Sequence, residues 1–122
     1  MVTDSSPVGE GLPDFYKFGD PRSCGRFEWR QSSAERVIRV VGEIDMSNVG
    51  DLSVGLEELD GRRLTFDLTE VSFIDSTGLG GLVSVADVIA PQPVSLRIEQ
   101  GSQVDRLLTI TGVAGQFSIS RH

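Results

Sequence analysis

The chemistry this sequence could perform gathers in one stretch, Phe73-Ile74-Asp75-Ser76-Thr77-Gly78-Leu79-Gly80-Gly81-Leu82, where two hydroxyl side chains follow a carboxylate. The stretch lies at the junction of a strand-like run and a helix, and Ser76 or Thr77 is expected to cap that helix. The first N–H groups of a helix and the positive end of its dipole favour an anion, so a phosphate on Ser76 would be accommodated without unfolding it. Phosphorylation would add about −1.5 to −2 charges beside Asp75, and beside Asp45 if the two strand ends are neighbours. Gly78, Gly80 and Gly81 each weaken the helix by roughly 0.8–1 kcal/mol relative to alanine. That cost implies a close approach, either by a binding partner or by the chain's own neighbouring strand or loop.

Other chemistries lack essential parts. Glu43, Asp45 and Asp75 resemble an acid/base or metal-binding cluster, but no neutral or basic catalytic group accompanies them, and Asp45 is equally a cap or turn residue. The only histidine, His122, is the last residue, so a serine or cysteine nucleophile has no credible base. Cys24 is the only cysteine and sits in a polar stretch, which excludes an intramolecular disulfide and a cysteine-rich zinc site. The glycines lack the Lys-Ser/Thr pair of a nucleotide phosphate loop. The sequence therefore reads as a non-enzyme with no metal and no cofactor.

The elements that position Ser76 follow from periodicity. Residues 1–26 mix Ser, Pro, Gly and Asp around a Phe15-Tyr16 pair and read as a flexible leader, with a partner-binding patch at the pair as the alternative reading. Phe27 to Gln31 alternates as a half-buried strand carrying Trp29, and after a turn Val37 to Val41 forms the second arm of a hairpin. Ser47 is positioned to cap an amphipathic helix of about three turns with Val49, Leu52, Leu56 and Leu59 inward and Gly61 at its end. Leu64, Phe66 and Leu68 form a third strand. The next helix, carrying Leu79, Leu82, Val83, Ala86 and Ile89, stops at Pro91. Val94, Leu96 and Ile98 form a fourth strand. Ser102 with Asp105 reads as a capping box for a short helix closed by Gly112, and Phe117 with Ile119 gives a brief last strand. The expected fold is an α/β domain over residues 27–122. Its mixed sheet has about five strands, an N-terminal antiparallel hairpin and then right-handed parallel crossovers, packed with about three helices.

The chain has 122 residues, 39% of them hydrophobic and 24% charged, enough for one core without a staple. Its 18 acidic residues outnumber 11 Lys plus Arg, giving a formal charge of −7, and no basic stripe is present, which argues against nucleic-acid binding. There is no secretory signal and no apolar run of the ~18 residues a membrane span needs, so a cytoplasmic protein is expected.

Three segments together, Val40-Val41-Gly42-Glu43-Ile44-Asp45, Leu64-Thr65-Phe66-Asp67-Leu68 and Val71 to Gly80, resemble the STAS domain of bacterial anti-sigma factor antagonists. The resemblance covers about Phe27 to His122. It implies a domain that binds an anti-sigma factor, usually a serine kinase, and so frees a sigma factor for transcription. It further implies phosphorylation at Ser76, which disables binding, reversal by a separate phosphatase, and a partner-facing surface of Asp45, Asp75, Ser76, Thr77, Gly78, Leu79 and Gly80. The family usually ends with a further helix after the last strand, whereas this sequence stops at His122. The alternative role within the same resemblance is a structural or regulatory STAS subunit of an ABC-type lipid-transport or signalling complex.

Overall fold

The computed structural model describes residues 15–19 and 24–122. Six strands form one sheet in chain order: β1 (Phe15–Phe18), β2 (Gly25–Gln31), β3 (Glu35–Ile44), β4 (Arg63–Ile74), β5 (Val94–Ile98) and β6 (Phe117–Arg121). β1, β2 and β3 are antiparallel neighbours, and β3 through β6 run parallel. Helix α1 (Ser76–Ile89) joins β4 to β5, and α2 (Gln103–Thr111) joins β5 to β6. The expected hairpin and parallel crossovers are thus present.

Alternation along β2 to β5 sends Phe27, Trp29, Ile38, Val40, Leu64, Phe66, Leu68, Val94, Leu96 and Ile98 to one face, all at most 1% exposed. Leu82 and Val85 of α1 and Val104 and Leu108 of α2 complete the same core. Consecutive right-handed crossovers between adjacent strands place their connections on one side, which leaves the other face of the sheet polar. There Arg39 pairs with Glu28 at 3.6 Å and with Glu70.

Two expectations are corrected. Within residues 1–26, where no strand periodicity is read, the structure has β1, whose Phe18 pairs with Phe27 across the ladder and stacks on its ring at 5.3 Å. Phe15, half of the suggested patch, lies at the edge of the sheet with the Arg30 guanidinium 4.8 Å from its ring. The side chain of Tyr16 and the leader at 1–14 and 20–23 lie outside the described residues.

The second correction concerns the β3–β4 crossover, which is not a three-turn α-helix. It is two short 3₁₀ turns, Val49–Ser53 and Leu56–Glu58, separated by extended Val54 and by Gly55 at φ 74°. The left-handed glycine interrupts the helical ladder, and a buried arginine satisfies carbonyls left over. Arg36, with no solvent exposure, donates from Nη1 to the Gly55 carbonyl at 2.7 Å and from Nη2 to the Glu58 carbonyl at 3.1 Å. Its guanidinium lies 4.2 Å from the Trp29 ring centroid, and burial pulls its pKa below the usual arginine value. Leu52 and Leu59 still face the core, so the apolar spacing was informative although the helix type was not.

Candidate functional site

The site is built where two parallel strands end side by side. Ile44 of β3 is paired with Ile74 of β4, and the Asp75 N–H donates to the Ile44 carbonyl at 3.3 Å. Asp45 and Asp75 therefore leave the sheet as neighbours, which meets the condition for Asp45 to stand beside Ser76.

Asp75, not Ser76 or Thr77, caps helix α1. Its backbone is extended (φ −94°, ψ −179°), and its Oδ1 accepts the Gly78 N–H at 2.8 Å. Its carbonyl accepts the Leu79 N–H at 2.9 Å and starts the ladder. With the cap supplied by the residue before it, Ser76 occupies the first helical position, its side chain exposed, followed by exposed Thr77. Aspartate is itself a favoured cap, so Asp75 was a candidate by residue type alongside Ser76 and Thr77.

The glycines divide by role. A Cβ on Gly78 would lie 2.8 Å from the Ile44 carbonyl oxygen and 2.8 Å from Ile74 Cγ1, and one on Gly81 would collide with Val49. Those two let the helix pack against the chain's own strand and crossover. Gly80 is exposed, with nothing within 4 Å of a Cβ. Gly78 and Leu79, expected on the partner-facing surface, are buried; Leu79 is 5% exposed and belongs to the core. The helical period turns their side toward the sheet while Ser76, Thr77 and Gly80 face outward.

Across from this helix start, Asp45 organises a tight turn. Its Oδ1 accepts the Ser47 N–H at 2.9 Å and the Ser47 hydroxyl at 2.6 Å, an arrangement in which Ser47 caps nothing. The Ser47 hydroxyl first, and the Ser47 N–H second, hold the Asp45 carboxyl below the usual carboxylate range. Asn48, 2% exposed, accepts the Asp45 N–H at 3.0 Å and donates to the Glu43 carbonyl at 2.8 Å. Met46, between them, is 78% exposed, and Phe73 at the end of β4 is 44% exposed. The sequence between Arg39 and Arg62, and again between Arg63 and Arg97, contains no basic residue, so the segments that carry Asp45 and Ser76 supply carboxylates and no cation of their own. Among the described residues no three His, Cys, Asp or Glu side chains are grouped to hold a metal ion, and no helix is long and apolar enough to cross a membrane.

Two residues at this site were not legible beforehand. Asn48 is one polar residue in a polar turn, and Gln103 reaches the site from α2. The Gln103 side-chain Oε1 accepts the Ile74 N–H at 2.9 Å, while its Nε2 donates to the Ile74 carbonyl at 2.8 Å. No local pattern signals a contact spanning 29 residues.

Comparison with known proteins agrees with this geometry. The family model for the STAS domain matches residues 27–122. The chain is 34% identical over 94 residues to the anti-sigma-B factor antagonist of Bacillus subtilis (strain 168), covering 75% of this chain and 86% of that protein. Its fold is similar to the crystal structure of an anti-sigma factor antagonist from Mycobacterium paratuberculosis, with a TM-score of 0.68 at 24% identity, covering 84% of this chain and 89% of that one. The family-model match over residues 27–122 and the 34% identity place the chain in the STAS-domain family, and the fold agrees.

Proposed function

We propose that this protein is an anti-sigma factor antagonist, working in the cytoplasm by binding rather than by catalysis. It binds an anti-sigma factor that is a serine kinase, so that a sigma factor is released. Phosphorylation of Ser76 by that kinase ends binding, and a separate phosphatase restores it. The observation that carries this reading is the exposed Ser76 hydroxyl at the first position of α1, with Asp75 already satisfying the cap and Asp45 on the adjacent strand end. The contact surface comprises Asp45, Asp75, Ser76, Thr77 and Gly80, with Gly78 and Leu79 holding the helix in place beneath it. The 34% identity to a protein named as an anti-sigma-B factor antagonist supports the same role.

The physical mechanism has two parts. The helix tolerates the modification, because an anion at its N-terminus is favourably placed against the dipole and the first N–H groups. An approaching partner does not, because a group of about −1.5 to −2 charges flanked by Asp45 and Asp75 must be stripped of water for close packing. The test is affinity purification from the native host with wild-type protein and with Ser76→Asp, combined with intact-mass analysis. Recovery of an anti-sigma kinase by the wild type alone, with phosphate confined to the unbound fraction, is expected. Recovery of an ATP-binding-cassette subunit by both forms, without modification, would overturn this reading in favour of a transporter subunit.

A further inference from the structure

Strand β4 is 12 residues long, yet its pairing with β5 runs only from Leu64 to Asp67. On its other side β3 accompanies it to Ile74. Successive residues of a parallel strand direct their N–H and C=O to opposite neighbours, and Asp75 points its N–H at β3. Ile74, which is fully buried, accordingly points both groups toward the space where β5 has already ended. The carboxamide of Gln103 fills that place: its two bonds to Ile74 reproduce the donor and acceptor of a missing strand residue. Gln103 is the first residue of α2, held there by the Ser102 cap, whose hydroxyl accepts the Asp105 N–H at 3.2 Å.

We infer that Gln103 is a positioning residue for the Ser76 hydroxyl. It fixes the last residue of β4, and through it the Asp75 cap that sets where Ser76 emerges. Ile74 and Ser76 are separated only by Asp75, whose backbone is bonded to β3 and whose side chain is bonded to Gly78. Helix α2 is thereby tied to the strand end that starts α1 by the paired hydrogen bonds of the Gln103 carboxamide. The role assigned to Ser76 rests on the function proposed above; the tie itself does not.

Amide hydrogen exchange by NMR on the full chain tests this, comparing wild type with Gln103→Met, which keeps the length of the side chain and removes the carboxamide. Exchange at Ile74 and Gly78 is expected to accelerate about tenfold or more, with Ser76 and Thr77 resonances shifted. Amides of Trp29 and Ile38 should stay within about twofold of wild type. Unchanged exchange at Ile74, or an equal rise over the whole sheet, overturns the inference. Should Gln103→Met not fold, the scalar coupling across the hydrogen bond from Gln103 Nε2 to the Ile74 carbonyl carbon decides in the wild type, and its absence is equally fatal. None of these readings needs a kinase, so failure of the proposed function leaves them intact, and their failure leaves that function standing.

Discussion

Replacing Gly78 and Gly80 by alanine, one at a time, separates self-packing from openness within one turn of helix. Both positions lie in α1, and alanine in a helix interior is favoured over glycine by about 0.8–1 kcal/mol. At Gly80 nothing stands within 4 Å of the added Cβ, so Gly80→Ala should be stabilising by close to that amount. At Gly78 the Cβ would sit 2.8 Å from the Ile44 carbonyl oxygen and from Ile74 Cγ1, and 2.9 Å from Ile44 Cγ2. Ordinary carbon contacts are about 3.5–4.0 Å, so the helix start must move off the strand by several tenths of an ångström or more. Overpacking of this kind costs typically about 1–3 kcal/mol, enough to cancel or exceed the gain. The two variants should therefore differ by about 1–3 kcal/mol. With a urea slope of about 1–3 kcal/mol/M, their unfolding midpoints should be separated by roughly 1 M, Gly80→Ala higher. Coincident midpoints, or Gly78→Ala the more stable, would refute the assignment of Gly78 to internal packing.

Arg36→Met should destabilise by about 2 kcal/mol or more, because the Gly55 and Glu58 carbonyls lose their donor; Arg36→Lys should rescue little, since one ammonium cannot reproduce the fork. Thermal melting checks this, and wild-type midpoints for both variants would remove Arg36 from the crossover's support. The Asp105 carboxyl accepts the Gly101 N–H at 2.9 Å and the Arg121 Nε at 3.0 Å, and these hold it below the usual carboxylate range. A lowered folded pKa means that this contribution is present above the unfolded value of about 3.9 and is lost as pH falls through the folded one. Stability should thus decline below about pH 4, and Asp105→Asn should flatten that acid limb in urea titrations; an unchanged limb would contradict the assignment.

The parts of this molecule written in short-range periodicity are legible in the sequence. β5 falls over Val94–Ile98 as read from alternation, α1 begins beside Ser76, and Ser102 and Gly112 bound α2 as their chemistry implies. What escaped depends on partners distant in sequence. β1 is four residues long, and its identity comes from the Phe18 pairing with Phe27 rather than from its own pattern. The crossover carries helical apolar spacing, yet Gly55 in a left-handed conformation and Arg36 from β3 settle its form as 3₁₀ turns. At the site, Ser76 and Thr77 were plausible caps by residue type, and Asp75 takes the position because its backbone leaves the sheet extended. The glycine cluster announced a close approach without saying to what; Gly78 and Gly81 approach the protein itself.

In the proposed switch, one phosphate on Ser76 is sufficient to separate the protein from an anti-sigma factor. Calorimetric titration of the purified anti-sigma kinase with unmodified chain and with chain stoichiometrically phosphorylated at Ser76 measures it directly. Affinity for the phosphorylated form should be lower by about 100-fold or more, the scale expected when an uncompensated buried charge costs about 3 kcal/mol. Equal affinities for the two forms would contradict the switch.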